Sequence, residues 1–478
     1  MHAESVLYDG FVNTRRWLLT CGSAFRRIAG NVAEQRCYGA LRWCLLALCG
    51  AFYMWIAGKI GLGATDGGPD EMMRSLIPRC MINGNWLPSG YDSCAIYGIG
   101  NWSYAFYPQF IAAYLSAFFM SIAKMLGMSA SMIFMWGRGA SIVFGLVTLF
   151  CVSETVSVVF RGARNRGLMV CLAVALMGAW PQFAFLSSYM NNDIAAMCGV
   201  TLLAYAMVSG VKDGWRLRNA LVLSLGVIVA GLGYWNAYGF VLVAICVFIA
   251  TALLQNRDDM VKGVRLIAVA AGVCAVVVLP FFAVNVVRYG DLIGMSTFHE
   301  RYVEWLAAGG EVLQHPWRDT VDELFFESNF VQDTVQSFIG DLGYMAVTMP
   351  YTKYLLYITW TLIGTGLFLS VVPRYARNVK FLTVAIAVLA ASAITLCLYM
   401  YYNLNTDYQP QGRYIIYLLV PLVIGIVAGI GKVYEFRGMI PKIVLLLAVI
   451  WYVSVGVDFF VTTVNEQGWE GVLWTGLI

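Results

Sequence analysis

The chain has 478 residues, of which 60% are hydrophobic and 12% charged, with a net charge of +4 and a mean hydropathy of +0.72. Ordinary soluble domains carry about 25% charged residues, so this composition excludes a soluble globular protein and requires a lipid-facing surface. The basic residues are dispersed in short loops, which gives no patch for nucleic acid, and none is expected as a partner.

The chain opens with a polar, basic arm, residues 1–40, containing Arg15, Arg16, Arg26, Arg27 and Arg36. Such an arm is not a cleavable signal peptide and is expected to be cytoplasmic. A transmembrane domain over 41–462 follows, with external loops 64–131 and 288–353, and then an external tail, 463–478. Apolar stretches of spanning length, roughly 17–25 residues, begin with Leu41 to Leu62 and continue with Met132 to Phe160, Leu168 to Phe185, Ile194 to Val211 and Ala220 to Tyr234. Tyr238 to Leu254, Val264 to Val286, Tyr354 to Val372, Phe381 to Met400, Tyr414 to Gly431 and Ile443 to Val461 complete the set.

If each crosses, Arg161/Arg164/Arg166, Lys212/Arg216/Arg218, Arg257/Lys262/Arg265, Arg374/Arg377/Lys380 and Lys432/Arg437/Lys442 all fall inside, as the positive-inside rule requires. Counting Phe106 to Met125 as a further crossing would put these clusters outside, so this stretch is read as an interfacial or re-entrant helix on the outer face. The expected architecture is an all-α membrane protein of about eleven transmembrane helices plus an outer juxtamembrane helix. Should that helix cross, the compensating error lies in the short pair meeting at Tyr234 to Tyr238.

Most of the twelve cysteines fall within spans or the arm; only Cys80 and Cys94 share an external loop. They could close a short disulfide worth ~3 kcal/mol in an oxidising compartment, or remain two free thiols; the sequence leaves both open. No spacing suggests a structural zinc site.

Three constellations could carry chemistry. Asp66-Gly67-Gly68-Pro69-Asp70-Glu71 places three carboxylates at the outer mouth of the first span. Asp70 and Glu71 could cap the helix that Pro69 introduces, or act as general base or hold a divalent cation, with Arg74 and Arg79 nearby. Asn192 and Asp193 enter the fourth span from the same side, as a cap or as a second acidic site. Before the tenth span, Gln411-Gly412-Arg413-Tyr414 offers an amide, a bare backbone, a guanidinium fork and a hydroxyl, a set suited to a lipid-linked phosphate. Arg138 is another cation that could face the same cavity, and snorkelling anchor is the alternative for both arginines. His299 and His315 on the second large loop are read as solvated loop residues, and Ser337 to Tyr344 as a fixed turn or substrate platform.

These motifs, in the order Pro69-Asp70-Glu71, Asn192-Asp193, Ser337 to Tyr344 with Pro350, and Gln411 to Tyr414, together resemble a GT-C membrane glycosyltransferase. That architecture is shared by protein O-mannosyltransferases and the lipid A aminoarabinose transferase. More narrowly, they resemble a bacterial group of polytopic proteins known only as a domain of unknown function, from about Leu41 to Gly431.

The resemblance implies transfer of a sugar from a polyprenyl-phosphate donor to an extracytoplasmic glycan, lipid or protein acceptor, with inversion, at the outer face of a bacterial inner membrane. It assigns Asp70, as base or acceptor-orienting carboxylate with Glu71 in support, and Asp193 to catalysis, and Arg413 to the donor phosphate; the residue types themselves add Gln411, Tyr414, Arg138 and Asn192 as candidates for binding substrate or donor phosphate. No cofactor is implied beyond a divalent cation that the acids could hold. One departure is Tyr234-Trp235-Asn236-Ala237-Tyr238, where similar proteins carry a lysine; its aromatic rings suit stacking on a sugar or an interfacial belt instead. The rival reading is a transporter or flippase of lipid-linked sugars, against which stands the scarcity of charge within the spans.

Overall fold

The computed structural model describes residues 37–61, 67–317, 320–434 and 438–466. Most of the basic arm, Asp66, Arg437 and most of the tail 463–478 lie outside them. The helices in chain order are α1 (Cys37–Lys59), α2 (Glu71–Ile82), α3 (Ile111–Met125), α4 (Ala130–Gly137), α5 (Gly139–Val159), α6 (Arg166–Gly178), α7 (Pro181–Leu186), α8 (Asp193–Asp213) and α9 (Leu217–Gly231). They continue with α10 (Tyr238–Gln255), α11 (Met260–Tyr289), α12 (Met295–Ala307), α13 (Val321–Phe326), α14 (Phe330–Ile339), α15 (Tyr351–Leu369), α16 (Val372–Tyr375), α17 (Val379–Asn405), α18 (Leu419–Val433) and α19 (Ile440–Glu466). A 3-10 segment, Gly412–Leu418, runs directly into α18. Among the described residues there is no strand, only the isolated bridges Tyr97–Trp102 and Leu342–Val347.

Among the described residues each expected span is helical over most of its length, but nine helices are long and apolar enough to cross a membrane. Two expected spans come out shorter. Leu168 to Phe185 breaks at Trp180–Pro181, because proline cannot donate into the preceding turn, and divides into α6 and α7. Ala220 to Tyr234 stops being helical at Gly231, and the helix that holds it, α9, begins at Leu217 and has 15 residues in all, about 22 Å at 1.5 Å per residue. The stretch read as juxtamembrane is also short, with 15 residues in α3.

α8 is the central helix: 83% of its apolar window is enclosed by protein, against 6% for α11. It packs on α5, α9 and α10. Gly199 permits this, since a Cβ there would collide with the backbone of Ala230 in α9. α8 also sets the polarity of the bundle. At its C-terminal end Asp213 pairs with Arg161 at 2.6 Å, Lys212 donates to Val158 O at 2.6 Å, and Lys380 donates to Lys212 O at 2.7 Å. Three of the basic turns therefore meet at one end. Asp193 stands at the other end of this 21-residue helix, about 30 Å along the axis.

Near the Asp193 end, α2 and α3 pack together and the structure joins Cys80 to Cys94 in a disulfide. The open choice between bridge and free thiols is thus resolved as a bridge.

Candidate active site

Asp70 precedes α2 in a left-handed conformation, φ +62°, and its side chain makes no capping bond. A non-glycine residue is uncommon there, Asp and Asn being the best tolerated. Its backbone N–H donates to the Tyr344 hydroxyl at 2.8 Å, and that hydroxyl lies 3.4 Å from Asp70 Oδ1. The other oxygen, Oδ2, accepts from Arg413 Nη2 at 3.2 Å and lies 4.0 Å from Arg74 Nη2.

Arg74, one turn into α2, stacks over Tyr104 at 4.2 Å and faces Tyr234 at 5.4 Å. Burial works against its charge, yet Tyr104 and Asp70 hold the guanidinium above its ordinary pKa. Its Nε and Nη1 have no hydrogen-bond partner, nor do Nε and Nη1 of Arg413. Arg413 is 3% exposed, stacks over Tyr414 at 4.9 Å and donates to the Tyr414 hydroxyl at 3.1 Å. Tyr414 in turn donates to Gln409 Oε1 at 2.6 Å; Gln409 bonds to Asp407, and Asp407 accepts from the backbone of His315 at 2.9 Å.

Asp193 opens α8 and is buried with neither carboxylate oxygen hydrogen-bonded. It lies within the field of Arg413, Arg74 and Asp70. The hydroxyls of Tyr189 and Tyr417 are likewise buried and unpartnered. Asp70, Arg74, Asp193 and Arg413 thus form one polar centre walled by tyrosines, at the end of α8 opposite the basic turns.

Several sequence-predicted residues sit elsewhere. Glu71 is closed: Arg138 donates from Nε to Oε1 at 2.8 Å and from Nη2 to Oε2 at 2.7 Å, and Met190 N–H donates to Oε1 at 2.8 Å. Arg138 spends Nη1 on the carbonyls of Ala57 at 2.5 Å and Ile60 at 3.0 Å. An acid and a base so fully engaged form a structural strut, which corrects the expectations of a catalytic Glu71 and a phosphate-binding Arg138. Asn192 gives its amide to Gly233 O at 3.0 Å and Gln109 O at 3.4 Å, so it ties loops together. The capping bond at α8 comes from Asn191, whose Oδ1 accepts from Ile194 N–H at 2.9 Å.

Gln411 makes no capping bond and precedes the 3-10 segment, its N–H bonded to Gln409 O at 2.7 Å. Gly412 does not open to a phosphate: its N–H donates to Ser337 Oγ at 2.5 Å, and a Cβ would strike the backbone of Phe338. The Ser337–Tyr344 segment is therefore the seat of the arginine loop, and it delivers Tyr344 to Asp70. His299 lies in α12, and no group of three or more His, Cys, Asp or Glu able to hold a metal occurs among the described residues.

Arg74, Tyr104, Tyr189, Tyr234 and Tyr344 complete the centre. Arg74 had a local signal in its i,i+4 spacing from Asp70, Tyr234 in the aromatic motif that opens before α10, and Tyr344 in the Ser337–Tyr344 segment; Tyr104 and Tyr189 had none.

A helical bundle with two acids and two arginines buried at one end defines a polytopic membrane protein, and the solved structure it resembles, described below, gives the fold as GT-C-like. The family described as "Predicted membrane protein (DUF2142)" matches residues 95–423, and the chain belongs to it. Among solved structures it is similar to ArnT from Cupriavidus metallidurans in the apo state, with 14% identity, 91% of this chain and 78% of that one covered, and a TM-score of 0.52. It is also similar to the same protein bound to undecaprenyl phosphate, with 14% identity, 82% of this chain covered and a TM-score of 0.48; the chain spans 60% of that one. No curated protein matches.

Proposed function

We propose that the protein transfers a sugar from a polyprenyl-phosphate carrier to an acceptor hydroxyl outside the cytoplasm. The observation that carries this reading is the pair of buried guanidiniums, Arg74 and Arg413, with four N–H-bearing nitrogens between them that lack a partner. Buried polar groups are normally satisfied, and a phosphate oxygen is the natural complement of a guanidinium. Asp70 is the base: it takes the proton of the acceptor hydroxyl as that oxygen attacks the anomeric carbon. The bond from that carbon to the phosphate oxygen breaks, and Arg413 and Arg74 receive the charge on the departing lipid phosphate. In-line displacement inverts the anomeric centre. Asp193, without a donor of its own, orients the acceptor.

The disulfide Cys80–Cys94 supports an oxidising compartment for this end of the bundle, as do the basic turns gathered at the opposite end. A bacterial inner membrane, with the site facing outward, fits both. A divalent cation would have Asp70 and Asp193 to bind, but both lie in guanidinium fields, so Arg74 and Arg413 supply the countercharge. Transfer that survives EDTA supports this assignment.

The test is transfer of labelled sugar from a polyprenyl-phosphate donor to host envelope acceptors by the purified protein in proteoliposomes. Passage of intact donor across the bilayer without transfer would favour the flippase instead.

A further inference from the structure

Arg413 is pinned through one nitrogen. Its Nη2 donates to Asp70 Oδ2 at 3.2 Å and to the Tyr414 hydroxyl at 3.1 Å, which uses both of that nitrogen's protons. Nε and Nη1 are the two left without partners. Whether Tyr414 shows Nη2 a lone pair or a proton therefore decides whether half of this clamp holds.

The Tyr414 ring cannot swing away. It is 7% exposed and lies among the rings of Tyr234, Tyr399 and Tyr402, at 6.5, 6.4 and 5.9 Å. Only its hydroxyl proton is free to choose a direction, and that proton goes to Gln409 Oε1 at 2.6 Å. Gln409 offers an oxygen there because its amide nitrogen is committed to Asp407 Oδ2, and a carboxylate only accepts. The other oxygen of Asp407 takes the His315 N–H at 2.9 Å. Gln409 is held by its backbone, its N–H bonded to Asn403 Oδ1 at 2.8 Å and its carbonyl to Gln411 N–H at 2.7 Å, so only its amide can turn over. Every donor in this chain points the same way: Arg413 to Tyr414, Tyr414 to Gln409, Gln409 to Asp407. The direction is set at the far end, by the one member that has no proton.

We infer that Asp407 is a positioning residue for the phosphate site: by fixing the Gln409 amide it turns the Tyr414 lone pair toward Arg413 and holds the guanidinium in place. The inference rests on the lipid-phosphate reading above.

Asp407→Asn keeps the shape but leaves one oxygen for two donors, His315 N–H and Gln409 Nε2. The His315 backbone is tied down, its carbonyl accepting from Tyr408 N–H at 2.9 Å, so the Gln409 amide is the part that turns. Its nitrogen then faces the Tyr414 oxygen, and the Tyr414 proton is sent toward Nη2, donor against donor.

The test measures binding of undecaprenyl phosphate to the full-length protein in nanodiscs by tryptophan fluorescence, with undecaprenol as the control that lacks the phosphate. Asp407→Asn should weaken binding of the lipid phosphate by about 10- to 100-fold, the scale of one hydrogen bond lost to a charged group, and leave undecaprenol unchanged. Asp407→Asn/Gln409→Glu again ends the chain on a pure acceptor and should restore the affinity to within ~3-fold of wild type. Tyr414→Phe should weaken binding to a similar extent, and Asp407→Asn should then add nothing, because its effect passes through that hydroxyl.

Wild-type affinity in Asp407→Asn would overturn the role, as would failure of Asp407→Asn/Gln409→Glu to recover it. So would a loss that adds in full to that of Tyr414→Phe, which would make Asp407 only an anchor for the His315 segment. A wild type that binds undecaprenyl phosphate no better than undecaprenol would instead remove the lipid-phosphate reading itself, and this role with it.

Discussion

Glu71 and Arg138 face each other through two parallel hydrogen bonds, 2.8 and 2.7 Å, with both side chains 1% exposed. Asp70, one residue earlier, turns the other way into the polar centre. The strut fixes the start of α2, and the left-handed turn before it aims the carboxylate. Removing one partner strands a buried charge, so Glu71→Gln or Arg138→Met should cost about 3–5 kcal/mol. The double replacement Glu71→Leu/Arg138→Met should recover most of that loss. Thermal unfolding in detergent measures both, and a double variant no better than the singles would refute the strut.

Asp70→Asn should lower transfer by about 10²–10⁴-fold, the usual scale of general base catalysis, and should also lower the melting temperature, because the buried Arg413 loses its charged partner at 3.2 Å. Asparagine tolerates φ +62° and there is no capping bond to lose. Asp70→Ala should lose activity and also about 1–3 kcal/mol of stability, because alanine is strained in the left-handed region. Near-normal turnover of Asp70→Asn would move the base to Asp193.

Arg413→Lys keeps charge but loses the planar fork, as does Arg74→Lys. Each should raise the KM for the lipid donor more than the KM for the acceptor. Kinetics equal to wild type in both variants would take the two arginines out of the phosphate site.

Cys80 and Cys94 close a loop of 14 residues' separation. Cys80→Ser should therefore cost ~3 kcal/mol. Alkylation of denatured, unreduced protein should count two thiols fewer than after reduction. Cysteine placed at Ser129 should react from the outer face, and labelling from the cytoplasm would reverse the orientation of the bundle.

Asp341, held in the turn that seats the arginine loop, is pushed up to about 6 by burial, while its bond from Tyr354 acts in the opposite direction. The folded state then keeps this proton up to about pH 6, whereas the unfolded chain releases it near the ordinary value of 3.8. Stability present at low pH is therefore lost as pH rises between those values, and is flat above them. Asp341→Asn should flatten that slope in denaturation curves taken across the window; an unchanged slope would assign it to another group.

The bundle was readable because hydropathy and the placement of lysine and arginine are local properties. Each apolar run became helix, and the two that fell short did so at Trp180–Pro181 and Gly231, where proline and glycine interrupt the backbone. The motif order was also readable, since Asp70, Asp193 and Arg413 do share one centre. Less visible were the tyrosines, scattered through the chain as Tyr104, Tyr189, Tyr234 and Tyr344 with no spacing to join them.

By itself, the sequence determined that this is a membrane-embedded helical protein with its lysine- and arginine-rich turns gathered on one side, because lipid imposes its demand on every short segment independently. Only the tertiary structure decided which charges are free. Glu71 and Asp70 are neighbours of the same type, yet Glu71 is bound by a residue 67 positions away and Asp70 by one 343 positions away. Whether a carboxylate is engaged or available depends on which donors the fold returns to it, and burial makes that pairing costly to alter.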